Sequence, residues 1–126
     1  MSDRFDAVQT AADDRALALQ LKFDVTDFNG WQTAYGYDNG RSRPIFLASV
    51  ARFRADLARA KERLGRPQET RLLEQVELAF TEFMRLDVVA WRALEAGRSA
   101  EVRRLAKAAE RSLGETQPDL PADSEI

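Results

Sequence analysis

Apolar residues recur along this chain at steps of three and four through four separate stretches, and each stretch runs out at a glycine. In the first, Leu17, Leu21, Val25, Phe28, Trp31 and Tyr35 share one helical face. Asn39-Gly40 ends it, with Gly suited to the left-handed cap. Residues 3–14 keep a helical spacing at Phe5, Val8 and Ala12 but are acidic, which predicts a frayed extension of the same helix. The second stretch has Pro44 in its first turn, where a missing N–H costs nothing, and a narrow seam of Phe46, Val50, Phe53, Leu57, Ala60 and Leu64. Gly65-Arg66-Pro67 reads as a stop and restart. The third stretch, from about Pro67 to Ala96, carries Leu73, Val76, Phe80, Phe83, Ala90 and Leu94. Leu72, Leu86, Val88, Val89 and Trp91 broaden its apolar surface, so this helix is expected to be the most buried. After Gly97, Ser99 is a suitable N-cap for a fourth helix with Val102, Leu105, Ala109 and Leu113, closed by Gly114.

No strand pattern competes with these assignments, and three short connections imply antiparallel neighbours. The predicted fold is an all-α, up-down-up-down four-helix bundle over residues 1–114, followed by a disordered acidic tail over 115–126. The fourth helix is about half as long as the third. One end of the bundle is therefore expected to be open or covered by a second copy of the chain.

Two residues interrupt the apolar seams. Asp24 falls near the middle of the first stripe, and Asp87 takes the step between Phe83 and Ala90. A buried unpaired carboxylate is too costly to stay ionised. Each Asp must be paired, hydrogen-bonded, protonated, hydrated or turned towards a cavity. A Trp31 or Trp91 indole N–H, a Tyr hydroxyl or an Arg would satisfy it, and a polar ligand pocket inside the bundle is the functional alternative. Trp31 and Tyr35 share these two readings, core or pocket, whereas Tyr37 points away from the stripe. Gly30, in mid-helix, costs roughly 1 kcal/mol relative to Ala and would allow a close helix approach or a kink.

Composition narrows the chemistry. A chain of 126 residues with 44% hydrophobic and 32% charged residues is one domain with a modest core. Without Cys or His it lacks thiolate chemistry, the commonest metal ligand and the commonest general base. Phosphate-binding and nucleophile-elbow motifs are missing too, so the chain is read as no enzyme, with no cofactor. A carboxylate-only metal site would have to use Asp24, Asp27 and Asp87, and no metal is expected. Charge alternates along the chain. Residues 1–40 carry seven Asp against Arg4, Arg15 and Lys22, whereas residues 41–66 carry seven Arg and Lys61 against Asp56 and Glu62. Residues 67–97 are again acidic and 98–114 basic, so adjacent helices complement one another. That pairing, with a net charge of −2, speaks against a nucleic-acid surface. No apolar run spans a membrane and no signal pattern opens the chain, so it reads as cytosolic as written.

The segment D-F-N-G-W-Q-T-A-Y-G-Y-D, Asp27 to Asp38, resembles the end of the first helix in the four-helix-bundle sensor domains of bacterial methyl-accepting chemotaxis receptors. L-D-V-V-A-W-R-A-L-E-A-G, Leu86 to Gly97, is similar to their third helix and the turn after it. The resemblance implies a non-catalytic sensory bundle that works as a homodimer and takes a small ligand or a signalling partner. Asp24, Asp27, Trp31, Tyr35, Asp87 and Trp91 are the residues expected to line its ligand site. A receptor fragment of this kind would be extracytoplasmic, and a protein-interaction or adaptor bundle without a small ligand is the other reading.

Overall fold

The structure, a computed structural model, describes residues 2–114. Four helices follow one another: α1 (Ser2–Tyr37), α2 (Arg43–Arg63), α3 (Pro67–Glu95) and α4 (Ser99–Gly114). No strand occurs among the described residues. The predicted tail and the side chain of Ser99, expected to cap α4, lie outside them.

Cross-helix pairs show how the helices lie. Asp13 and Asp14 meet Arg63, Asp27 meets Arg52, and Tyr35 stacks near Phe46, so contacts run in opposite order along α1 and α2. The same reversal relates α2 to α3: Lys61 pairs with Glu77, Phe53 with Phe80, and Phe46 with Phe83. Five ion pairs between described residues link the basic α2 to acidic residues of α1 or α3, as the alternating charge predicts.

Phe28 is fully buried at the centre, with ring centroids 5.3, 5.6 and 5.0 Å from those of Phe53, Phe80 and Phe83. These edge-on and tilted contacts are the preferred geometry for aromatic rings. All six seam residues predicted for α2 and all six for α3 are buried. Val102, Ala109 and Leu113 bring α4 into the same core.

Among the described residues α3 holds more buried positions than any other helix, as expected, although Leu78, Val88 and Val89 face outward. Two expectations change. α1 is one continuous helix from Ser2, although residues 4–11 are exposed on every face. Nothing lies within 4 Å of a Cβ placed on Gly30, so no helix of the same chain approaches it. α1 also carries a second apolar line. Phe5, Val8, Leu19, Phe23 and Tyr37 are all exposed. At about 100° per residue they fall within about 60° of one another, roughly opposite the core face.

α1 and α3 close in the same way, whereas α2 ends on an extended Leu64. After α3, Gly97 (φ 78°) lets its own N–H reach the Leu94 carbonyl and the Arg98 N–H reach that of Ala93. After α1, the Gly40 N–H bonds the Tyr35 carbonyl. There the left-handed cap position belongs to Asn39 (φ 60°), and Gly40 (φ 88°) follows it in the same region. The sequence had pointed to Gly40 for the cap. Gly40 is needed for a further reason: a Cβ on it would lie 2.8 Å from Cζ3 of Trp91. No atom lies within 4 Å of a Cβ on Gly97.

The two glycines should therefore respond differently to asparagine, which tolerates a left-handed backbone. Gly97→Asn is expected to cost less than about 1 kcal/mol. Gly40→Asn must displace an indole that Arg43 covers and Tyr35 meets edge-on, and should cost about 1–3 kcal/mol. Urea denaturation of the two variants measures the difference, and equal costs would mean that the α1–α2 turn does not rest on Trp91.

Candidate functional site

α3 has to bury its seam, and Asp87 lies on that seam, so folding drives a carboxylate into the core. The residue is completely inaccessible to solvent. Four donor contacts meet it. Its Oδ1 accepts the Tyr35 hydroxyl at 2.5 Å, the Gln32 Nε2 at 3.1 Å and Arg43 Nη1 at 3.3 Å. Its Oδ2 accepts Arg43 Nη2 at 3.0 Å. Gln32 and Tyr35 stand on the core face of α1, and Arg43 is the first residue of α2.

The guanidinium is held as closely as the carboxylate. Its carbon lies 4.5 Å from the ring centre of Trp91, 4.9 Å from that of Tyr35 and 5.6 Å from that of Phe46. Trp91, one turn beyond Asp87, also meets Tyr35 edge-on at 5.7 Å. A planar cation among aromatic faces keeps its favourable electrostatics while its plane stays free to grip a carboxylate. Burial, followed by the hydrogen bond and charge of Asp87, pushes the Tyr35 hydroxyl far above its ordinary range, so it keeps its proton and donates a hydrogen bond to Asp87.

Three of the six residues expected to form a ligand site thus converge: Tyr35, Asp87 and Trp91. The other three stand apart from them. Asp27, half-buried, accepts the Ser49 hydroxyl at 2.6 Å and Arg52 Nη2 at 3.3 Å. Asp24, 2% exposed, accepts Gln20 Nε2 on Oδ1 at 2.9 Å, while its Oδ2 is buried without a hydrogen-bond partner. Burial, then the adjacent Asp56, pushes the Asp24 carboxyl up to about 7. Trp31 is partly buried against the hydrophobic core. Asp24 lies 11 residues before Tyr35, about 16 Å along the helix. The three carboxylates therefore have separate partners, and no group of three or more metal-type ligands occurs among the described residues.

The expectation that Trp31 and Asp87 share one cavity is replaced by a packed cluster in which Trp91 takes the aromatic role. Gln32 and Arg43 were not singled out from the sequence. Arg43 carries only the general signal that a seam aspartate calls for a cation, and nothing local distinguishes it from the other Arg of α2. Grooves run between neighbouring helices of the described residues. A groove of about 460 Å³ runs between α1 and α4, past Thr33, Gly36 and Tyr37 on one side and Val102, Arg103 and Lys107 on the other. Another, of about 390 Å³, lies between α1 and α2 beside Gln20 and Arg59. A third, between α2 and α3, is about 330 Å³. No described helix is long and apolar enough to cross a membrane.

Because the Arg43 side chain is only 14% exposed, removing its partner leaves a buried cation. Asp87→Leu is expected to destabilise the fold by about 3–5 kcal/mol, and Arg43→Met by a similar amount. The double variant should recover most of that loss, since no charge remains to be solvated. A urea-denaturation cycle over the four proteins reads the coupling, and additive losses would show that the pair is not an energetic unit.

Comparison of the chain with family models, with curated proteins and with solved structures gives no match.

Proposed function

We propose that this chain is a non-catalytic sensory bundle of bacterial signal transduction, similar in plan to chemoreceptor sensor domains, in which a bound ligand shifts helix packing. One observation carries this reading. The segment that resembles those domains is the one that ties α1 to the buried charge pair, through Gln32 and Tyr35. The next residues, Gly36 and Tyr37, form a wall of the groove between α1 and α4. At about 460 Å³ that groove is of the size that small-molecule sites occupy. A ligand seated there presses on the turn of α1 that holds Asp87 and Arg43. A displacement of α1 is then felt at once by α2 and α3. Arg103 and Lys107, one turn apart on the α4 lip, favour a ligand bearing a negative charge.

The same reading takes the chain as a homodimer. Its support is the outward line of α1, since monomers seldom leave large apolar patches open. Leu78, Val88 and Val89 of α3 are exposed as well, but the longer apolar line is on α1. These surfaces also favour the second reading, an adaptor bundle that binds a protein and no small molecule.

Native mass spectrometry of freshly purified protein separates the two. The sensory reading expects a bound small molecule that is lost from an Arg103→Glu/Lys107→Glu variant, and a ligand-free protein supports the adaptor. For the assembly, sedimentation at micromolar concentration is expected to show a dimer in the parent and a monomer in Phe23→Glu. The melting temperature of that monomer should stay within a few degrees, because Phe23 is 63% exposed in the single chain. A parent protein that sediments only as a monomer would remove the α1 interface.

A further inference from the structure

The seam between α1 and α2 holds a second polar anomaly, independent of the sensory reading. Asp24 sits on the core face of α1, with one oxygen bonded to Gln20 and the other buried and unpartnered. The contact order along the two helices places it opposite α2 one turn beyond the Asp27–Ser49–Arg52 cluster, which brings Asp56 against it. Asp56 is itself largely buried, its side chain 13% exposed, and its Oδ1 accepts Arg59 Nη2 at 2.5 Å. Two carboxyl groups in contact within a low-dielectric seam cannot both be ionised cheaply. The unpartnered Oδ2 of Asp24 is explained if that oxygen carries a proton, because a protonated carboxyl is a donor and a carboxylate is not.

We infer that Asp24 and Asp56 share one proton, carried on Asp24 and donated to Asp56, and that this pair is a proton-binding site joining α1 to α2. Asp56 is the accepting member, since its Oδ1 already takes a hydrogen bond from Arg59. The groups that act on Asp24 come from α1 and α2: Asp56 opposes its ionisation, while Gln20 and the more distant Arg52 favour it. Arg52 is partly spent on Asp27. The groove between α1 and α2 is lined by Gln20 and Arg59, the hydrogen-bond partners of the two acids, and by Asp13 and Arg63, so solvent reaches the edge of the site.

Asp24 binds its proton more tightly in the folded chain, with the carboxyl pushed from its ordinary 3.8 up to about 7. Its contribution to stability is therefore complete below about pH 4 and is lost as the pH rises through 7. Above that, two carboxylates face each other across the seam, and α1 and α2 are held less firmly. The response is a loosening on deprotonation, in the range where cells regulate pH.

Carbon-detected NMR of the side-chain carboxyls in the full chain reads the site directly. Asp24 is expected to titrate within about one unit of pH 7, and a midpoint near the ordinary value of about 4 would overturn the proposal. Asp56→Asn removes the opposing charge and should move the Asp24 midpoint down, whereas an unchanged midpoint would exclude a shared proton. Asp24→Asn places a permanent N–H donor against Asp56. Its melting temperature should gain on that of the parent between about pH 4 and 7, then run parallel to it. Parallel curves across the whole range would count against the site.

Discussion

The buried pair of Asp87 and Arg43 constrains more of this molecule than any other contact. A carboxylate on the seam of α3 has no access to water, so its partners must come from the chain, and they come from two other helices. The need to desolvate Arg43 then recruits Tyr35, Phe46 and Trp91 as faces for the guanidinium. Trp91 in turn leaves no room for a side chain at Gly40. The α1–α2 turn, the start of α2 and the last turns of α3 are thereby fixed by one ionic contact. Such a pair adds little net stability compared with apolar residues of the same shape. What it supplies is a single register, since sliding any of the three helices by a turn would strand a charge.

α1 is the element on which the functional possibilities meet. One face holds Phe28 in the aromatic core and Tyr35 on the charge pair. The same face, further towards its start, holds Asp24 against Asp56. The opposite face shows Phe5, Val8, Leu19, Phe23 and Tyr37 to solvent. A helix that is apolar on two sides has only one side satisfied by its own bundle. α2, by contrast, spends its cations on neighbours: Arg43 on Asp87, Arg52 on Asp27, Lys61 on Glu77 and Arg63 on Asp13 and Asp14. The basic character of α2 is therefore matched by acidic residues of the helices beside it.

The four helices and their seams were readable from the sequence because each depends on a local period. Apolar spacing of three and four, Pro at helix starts and Gly after helix ends act within a few residues. The burial of Asp24 and Asp87 was also determined at that level, since a residue on a seam goes inside whatever its chemistry. Only the tertiary structure decided what meets those carboxylates. Arg43 and Gln32 lie 44 and 55 residues from Asp87 along the chain, and no local period marks them as partners. The same holds for Asp56 beside Asp24, and for the choice of Trp91 over Trp31 beside the guanidinium. Which apolar surface stays open also depended on the fold. An amphipathic pattern shows that a face is apolar, but whether a neighbour covers it is a property of how many helices there are and how long each one is, and here no described helix covers the outward line of α1.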